Sequence, residues 1–140
     1  MTRCHQCPHA NATTAALQQA AVRSLQGQAL AGLQLWISLQ VLREYLRTFT
    51  RPQTFAAPQP VATLIARIHY FESEFYVAND TAAVTEQLLV LLQEVPFGGK
   101  QVHDANIVAT MRANGIRQLL TANAADFARF ARYITVIPLV

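Results

Sequence analysis

Two alternating periods constrain this chain most. Short apolar runs with a two-residue repeat are each followed by a longer run whose apolar residues recur every three or four positions. Leu33, Leu35 and Ile37 alternate with Gln34, Trp36 and Ser38 as in a half-buried strand. Leu39 to Thr50 then carries Val41, Leu42, Tyr45, Leu46 and Phe49 at helical spacing, and Arg51-Pro52 stops it. The pattern repeats. Pro60 opens a helix through Phe71 with Val61, Leu64, Ile65, Ile68 and Phe71 facing inward, and Phe75 to Ala78 follows as a short strand. Asn79-Asp80-Thr81 leads into a helix with Val84, Leu88, Leu91 and Leu92 as its stripe, and Pro96-Phe97-Gly98-Gly99 ends it. His103 to Asn114 reads as a helix capped by Gly115, Gln118 to Thr121 as a buried strand, Ala124 to Arg132 as a short helix and Tyr133 to Pro138 as a closing strand. A further helix, Asn11 to Gln26, precedes all of these, and Gly27 and Gly32 bracket the break after it. Such alternation predicts an α/β layer fold with a mostly parallel sheet. At 140 residues it fills one domain, and the three prolines between Pro52 and Pro60 mark a connection, not a boundary.

Composition adds an expectation about partners. Only 14% of the residues are charged while 52% are hydrophobic, which implies that a partner or a second copy covers part of the surface. The formal charge of +3 comes almost wholly from arginine and is compatible with phosphate binding. No apolar run is long enough for a membrane span, and the first residues lack the build of a signal peptide, so a cytoplasmic protein is expected. Cys4 and Cys7 are too close in sequence to staple a fold.

Chemistry in an open α/β sheet is expected at the carboxyl ends of the strands and at the helix starts beyond them. Glu44, Asp104 and Asp126 occupy such places among only eight acids in the chain. Carboxylates that converge repel one another unless a divalent cation neutralises them, and hard oxygen donors suit Mg2+ or Mn2+. Asp104 and Asp126 also have an ordinary explanation, since aspartate often caps or complements a helix N-terminus. Spacing alone leaves both readings open.

The run from Gly98 through Asp104-Ala105 and Asn114-Gly115-Ile116 to Thr121-Ala122-Asn123-Ala124-Ala125-Asp126-Phe127 resembles the C-terminal signature of PIN domains, in particular the VapC-like toxins of toxin–antitoxin systems. That signature has an aspartate and alanine at a helix start, a small-residue turn, an apolar strand, and Thr-x-Asn-x-x-Asp-Phe. A second block, Leu35 to Tyr45, is similar to the strand and helix that carry the family's glutamate. The likeness spans roughly residues 10 to 140. It implies a three-layer α/β/α fold and a metal-dependent ribonuclease in which Glu44, Asp104 and Asp126 are the catalytic, metal-holding carboxylates. Thr121 and Asn123 would support them. It also implies an RNA substrate, often a structured one, a cognate antitoxin protein and a homodimer. Arg43, Arg47, Lys100, Arg112 and Arg129 are the candidate phosphate contacts.

One departure qualifies that expectation. Family members open with an apolar strand ending in an Asp-Thr-Asn triplet, whereas this chain opens Met1-Thr-Arg-Cys-His-Gln-Cys-Pro-His9 and has no aspartate before Asp80. The opening strand is therefore expected to be missing with its acid, residues 1–9 to be disordered or atypical, the chain to be truncated, and catalysis to be weak or lost. The alternative function is a non-catalytic module that dimerises or binds antitoxin or RNA. Cys4-His5-Gln6-Cys7-Pro8-His9 has the C-x2-C spacing of a zinc site, but no second pair at finger spacing accompanies it. Trp36, Tyr70, Phe71 and Phe75 are expected in the core or a dimer interface, not as base-stacking platforms.

Overall fold

A computed structural model describes the backbone of residues 2–5, and residues 34–51 and 60–138 in full. Five strands form one sheet: β1 (Thr2–His5), β2 (Gln34–Ser38), β3 (Tyr76–Ala78), β4 (Gln118–Thr121) and β5 (Thr135–Pro138). Their order is β3-β2-β1-β4-β5, and all four neighbouring pairs are parallel. The helices among the described residues are α1 (Leu39–Thr50), α2 (Val61–Glu74), α3 (Ala82–Glu94) and α4 (Gln101–Ala113), with a 3-10 helix at Ala124–Phe130.

The opening strand is present, contrary to expectation. Thr2–His5 lies at the centre of the sheet, with Cys4 in register with Trp36 on one side and Leu119 on the other. Thr-Arg-Cys-His has no apolar run to mark it as a strand, yet a central parallel strand is held by backbone hydrogen bonds on both edges whatever its side chains. The unpaired backbone that a missing strand would leave on β2 and β4 does not arise. Cys7 and His9 of the C-x2-C segment, the helix at Asn11 to Gln26, and most of the proline-rich connection lie outside the described residues.

Burial along β4 establishes the layering. Successive strand residues point to opposite faces, and Leu119, Leu120 and Thr121 are all buried, so both faces of the sheet are covered. The core joins Ile37, Val41 and Leu42 to Ile107, Val108 and Met111 of α4, Leu91 of α3, and Phe127 and Phe130 of the 3-10 helix. The expected three-layer arrangement holds.

Local signals account for the helix limits. The Ser38 hydroxyl caps α1 by accepting from the Val41 N–H at 3.2 Å, and Thr81 caps α3 through Val84 at 3.4 Å. At the end of α4, Gly115 takes a positive φ of 68°, the Ile116 N–H reaches the Met111 carbonyl at 2.8 Å, and the Gly115 N–H reaches Arg112 at 3.3 Å. This is the Schellman closure that a glycine at that position permits. The inward face of α2 is narrower than its period predicts: of the five residues expected inside, Leu64 is buried and Ile68 and Phe71 pack partly, while Val61 and Ile65 are exposed. The helical period locates the stripe but not its width. Leu92 of α3 is likewise exposed.

Candidate functional site

The strand order reverses at β1. The chain steps outward from β1 through β2 to β3, then crosses back to β4 and β5. In a doubly wound sheet the carboxyl ends of the strands at this reversal border a crevice, the usual place for a ligand. Glu44 follows the carboxyl end of β2, in the second turn of α1. Asp126 follows that of β4, in the first turn of the 3-10 helix. Asp104 stands in the first turn of α4, the helix that leads into β4.

Asp104 senses the other two acids. Burial holds the Asp104 carboxyl above its ordinary value of 3.8, and the negative charges of Asp126 and Glu44 raise it further, while Arg129 and His103 oppose the rise. The three acids do not form a closed ligand cage: among the described residues no three His, Cys, Asp or Glu side chains are placed to share one ion. Nor do the two aspartates cap helices. The N-cap positions are Lys100 for α4 and Asn123 for the 3-10 helix, neither with a side-chain cap bond, and among the described residues neither aspartate accepts a hydrogen bond. The ordinary explanation for both is thus reduced to a favourable position near a helix start.

A folded state that binds its proton more tightly than the unfolded chain loses stability as pH rises through the raised pKa. Asp104 is such a group. In metal-free buffer, Asp104→Asn should melt with the native protein near pH 4 and above it at pH 7, by about 1–3 °C once solvent screening is allowed for. A difference that stayed constant with pH, in thermal melts at both values, would show that neither burial nor the neighbouring acids raise the Asp104 carboxyl.

Beside the acids runs a groove of about 560 Å3 lined by Gln40, Arg43, Glu44, Arg47, Leu88, Val102, His103 and Asn106. The sequence-predicted basic residues divide around it. Arg43 and Arg47 line the groove, with Arg43 in an exposed ion pair to Asp80 at 2.8 Å. Lys100 sits just before α4, and Arg129 lies close enough to Asp104 to favour its charged form. Arg112 is different. It stands eight residues beyond Asp104, about 12 Å along the helix, with its guanidinium 4.7 Å from the Tyr133 ring centroid. Its part is packing at the far end of α4.

Thr121 and Asn123 sit where the support for the last acid was expected. Thr121 is buried at the end of β4, and its hydroxyl accepts from the Asn123 N–H at 3.0 Å, which tightens the turn into the 3-10 helix that carries Asp126. Gln40, Asn106 and Asp80 were not singled out from the sequence. They form a polar chain along the groove: Arg43 to Asp80, Asn106 to Asp80 at 3.3 Å and to Gln40 at 2.8 Å, and Gln40 to Glu44 at 3.2 Å. The available signal was the spacing of Gln40 and Glu44, four apart on one helix face. Trp36 stacks on the exposed Tyr76 at 5.1 Å and Phe71 meets Phe75 edge-on at 6.0 Å; Trp36, Phe71 and Phe75 pack partly against the core, while Tyr70 is exposed.

No family model matches the sequence, and no curated protein matches it. Solved structures do. The chain is similar to VapBC-1 from nontypeable Haemophilus influenzae, with a TM-score of 0.65 and 15% identity over 99% of this chain and 98% of that one. It is similar to VapBC2 from Rickettsia felis bound to a DNA fragment from their promoter, with a TM-score of 0.63, 16% identity and the same coverage. It is also similar to FitAcB from Neisseria gonorrhoeae, with a TM-score of 0.58, 12% identity and the same coverage. The fold is therefore the VapC-like PIN fold along nearly its whole length.

Proposed function

We propose that this protein is a metal-dependent endoribonuclease of the toxin–antitoxin type, slowed by the lack of an acid at the end of β1, and that Glu44, Asp104 and Asp126 are its catalytic carboxylates. The observation that carries the reading is the placing of Asp104, in the first turn of α4, within electrostatic reach of Glu44 from α1 and Asp126 from the 3-10 helix, whose negative charges repel its own. Repulsion of this kind costs stability and is relieved by a cation. The donor set fits Mg2+ or Mn2+ better than a softer ion, because every donor is a carboxylate oxygen. Mg2+ keeps several waters and needs only one or two carboxylates, so Asp104, Asp126 and Glu44 could hold it directly or through its water without forming a tight cage. The chemistry that an ion held by these carboxylates would supply is polarisation of a phosphate oxygen and activation of a water for in-line attack.

The chain's own residues supply the rest. Arg43 and Arg47 on the groove, with Lys100 and Arg129 near the acids, would hold the backbone of an RNA strand and leave one phosphodiester over the carboxylates. The solved VapBC and FitAcB structures support an antitoxin partner, and the exposed Val61, Ile65, Leu89 and Leu92 leave apolar surface for that partner or for a second copy. No helix among the described residues is long and apolar enough to cross a membrane.

One observation favours a second reading, a non-catalytic interaction module: the want of a three-residue ligand cluster among the described residues. The full chain, incubated with structured RNA in Mn2+, separates the two. Slow cleavage that stops in EDTA supports the enzyme. Intact RNA together with no heat of Mn2+ binding in calorimetry supports the module.

A further inference from the structure

Gln40 is nearly as buried as the apolar core, yet it is fully polar and carries no part of the fold's hydrophobic stripe. A buried amide of this kind is retained only where its hydrogen bonds are met. Here they are met from three directions. Its Nε2 donates to the Glu44 carboxylate at 3.2 Å and to the His103 backbone carbonyl at 2.8 Å, and its Oε1 accepts from Asn106 Nδ2 at 2.8 Å. The orientation of the amide is decided by chemistry, because a carboxylate and a carbonyl can only accept. Both lie on the side that must therefore be nitrogen. His103 immediately precedes Asp104, so one side chain joins the carboxylate of α1 to the first turn of α4 that carries the other acid.

We infer that Gln40 is a positioning residue, which sets the separation of Glu44 and Asp104 by clamping α1 to the first turn of α4. The inference rests on the metal-site reading above. Glu44 lines the open groove, where its carboxylate is held by the Gln40 amide. One donated bond holds that carboxylate and the other holds the first turn of α4. Asn106 completes the clamp from the second turn of α4, itself held by Asp80. Partners that orient a metal's ligands are typically worth about 10- to 100-fold in metal affinity.

The test is a double-mutant cycle on Mn2+ affinity by calorimetry, with Gln40→Met, Glu44→Gln and the pair. Methionine keeps the length and volume of the side chain and removes only its hydrogen bonds. The expected result is an increase of about tenfold in Kd for Gln40→Met and no further increase when it is added to Glu44→Gln. A residue that served only packing would weaken both backgrounds equally. The inference is overturned if Gln40→Met leaves Kd unchanged while Glu44→Gln weakens it, or if the two effects simply add. If neither Glu44→Gln nor Asp104→Asn changes Mn2+ binding, the metal-site reading itself falls and this inference falls with it. Asn106→Ala, which leaves Gln40 in place, reads the same clamp should Gln40→Met fail to fold. It should raise Kd about threefold, and no change in Kd would overturn the inference.

Discussion

Asp104→Asn should abolish measurable Mn2+ binding and lower RNA cleavage at least about 100-fold, which corresponds to about 2.7 kcal/mol of transition-state stabilisation. Asp104 is the acid that faces both of the others, and burial already weakens its charged form. Asparagine preserves the shape of the side chain and removes the negative charge for which a divalent ion competes. Asp126→Asn should cost less, about tenfold, because Asp126 is exposed and solvent screens its loss. The two measurements should move together, in calorimetry and in a gel assay of RNA cleavage. Arg112→Ala serves as the internal control, since its guanidinium lies over Tyr133 at the other end of α4, and its cleavage rate should stay within about twofold of the native value. Undiminished cleavage by Asp104→Asn would remove the carboxylates from the mechanism.

What could be read from the residues alone follows the physics of each signal. β2, β4 and the capped end of α4 were legible because alternating apolar residues, a short apolar run and a glycine after a helix each have one common structural meaning. β1 was not, because Thr2–His5 owes its place to backbone pairing with two neighbours and carries no pattern of its own. The wide inward stripe assigned to α2 failed for the opposite reason. Val61 and Ile65 have the right period, but the face that they occupy has no described neighbour to cover it.

The site divides in the same way. Glu44, Asp104 and Asp126 could be named from sequence because they fall in the two blocks that resemble a known signature, while their placement alone left a helix-end role open. Their convergence could not, since it depends on the strand order placing β4 beside β1. Gln40 was hidden because a glutamine on an amphipathic helix is usually a solvent-facing residue, and only the packing of α4 against α1 makes it a buried one. The same packing turns an i,i+4 pair into a connection between two elements.

The second large effect is expected at an apolar residue, the chain neighbour of Asp126. Phe127→Ala should cost about 3–5 kcal/mol, enough to lower the melting temperature by about 10 °C. Phe127 and Phe130 are both fully buried, and residues three apart in a 3-10 helix lie one above the other, so the two rings insert together, with Phe130 edge-on to Phe97 at 5.9 Å. Asp126 and Arg129 share the same spacing one residue earlier and stay exposed. The short helix is thus anchored by one face and presents charge from another. No side-chain cap holds its first turn, so the aromatic pair and the Thr121 turn fix where Asp126 stands. Phe127→Leu should therefore separate stability from site geometry. It retains most of the buried volume, costs about 1 kcal/mol in urea unfolding, and should still weaken Mn2+ binding several-fold as the helix settles into the space left by the ring. Tyr70→Ala, at an exposed aromatic of α2, should change stability by no more than about 0.5 kcal/mol. If Phe127→Leu kept native Mn2+ affinity, the position of Asp126 would have to be set by the backbone of the turn alone.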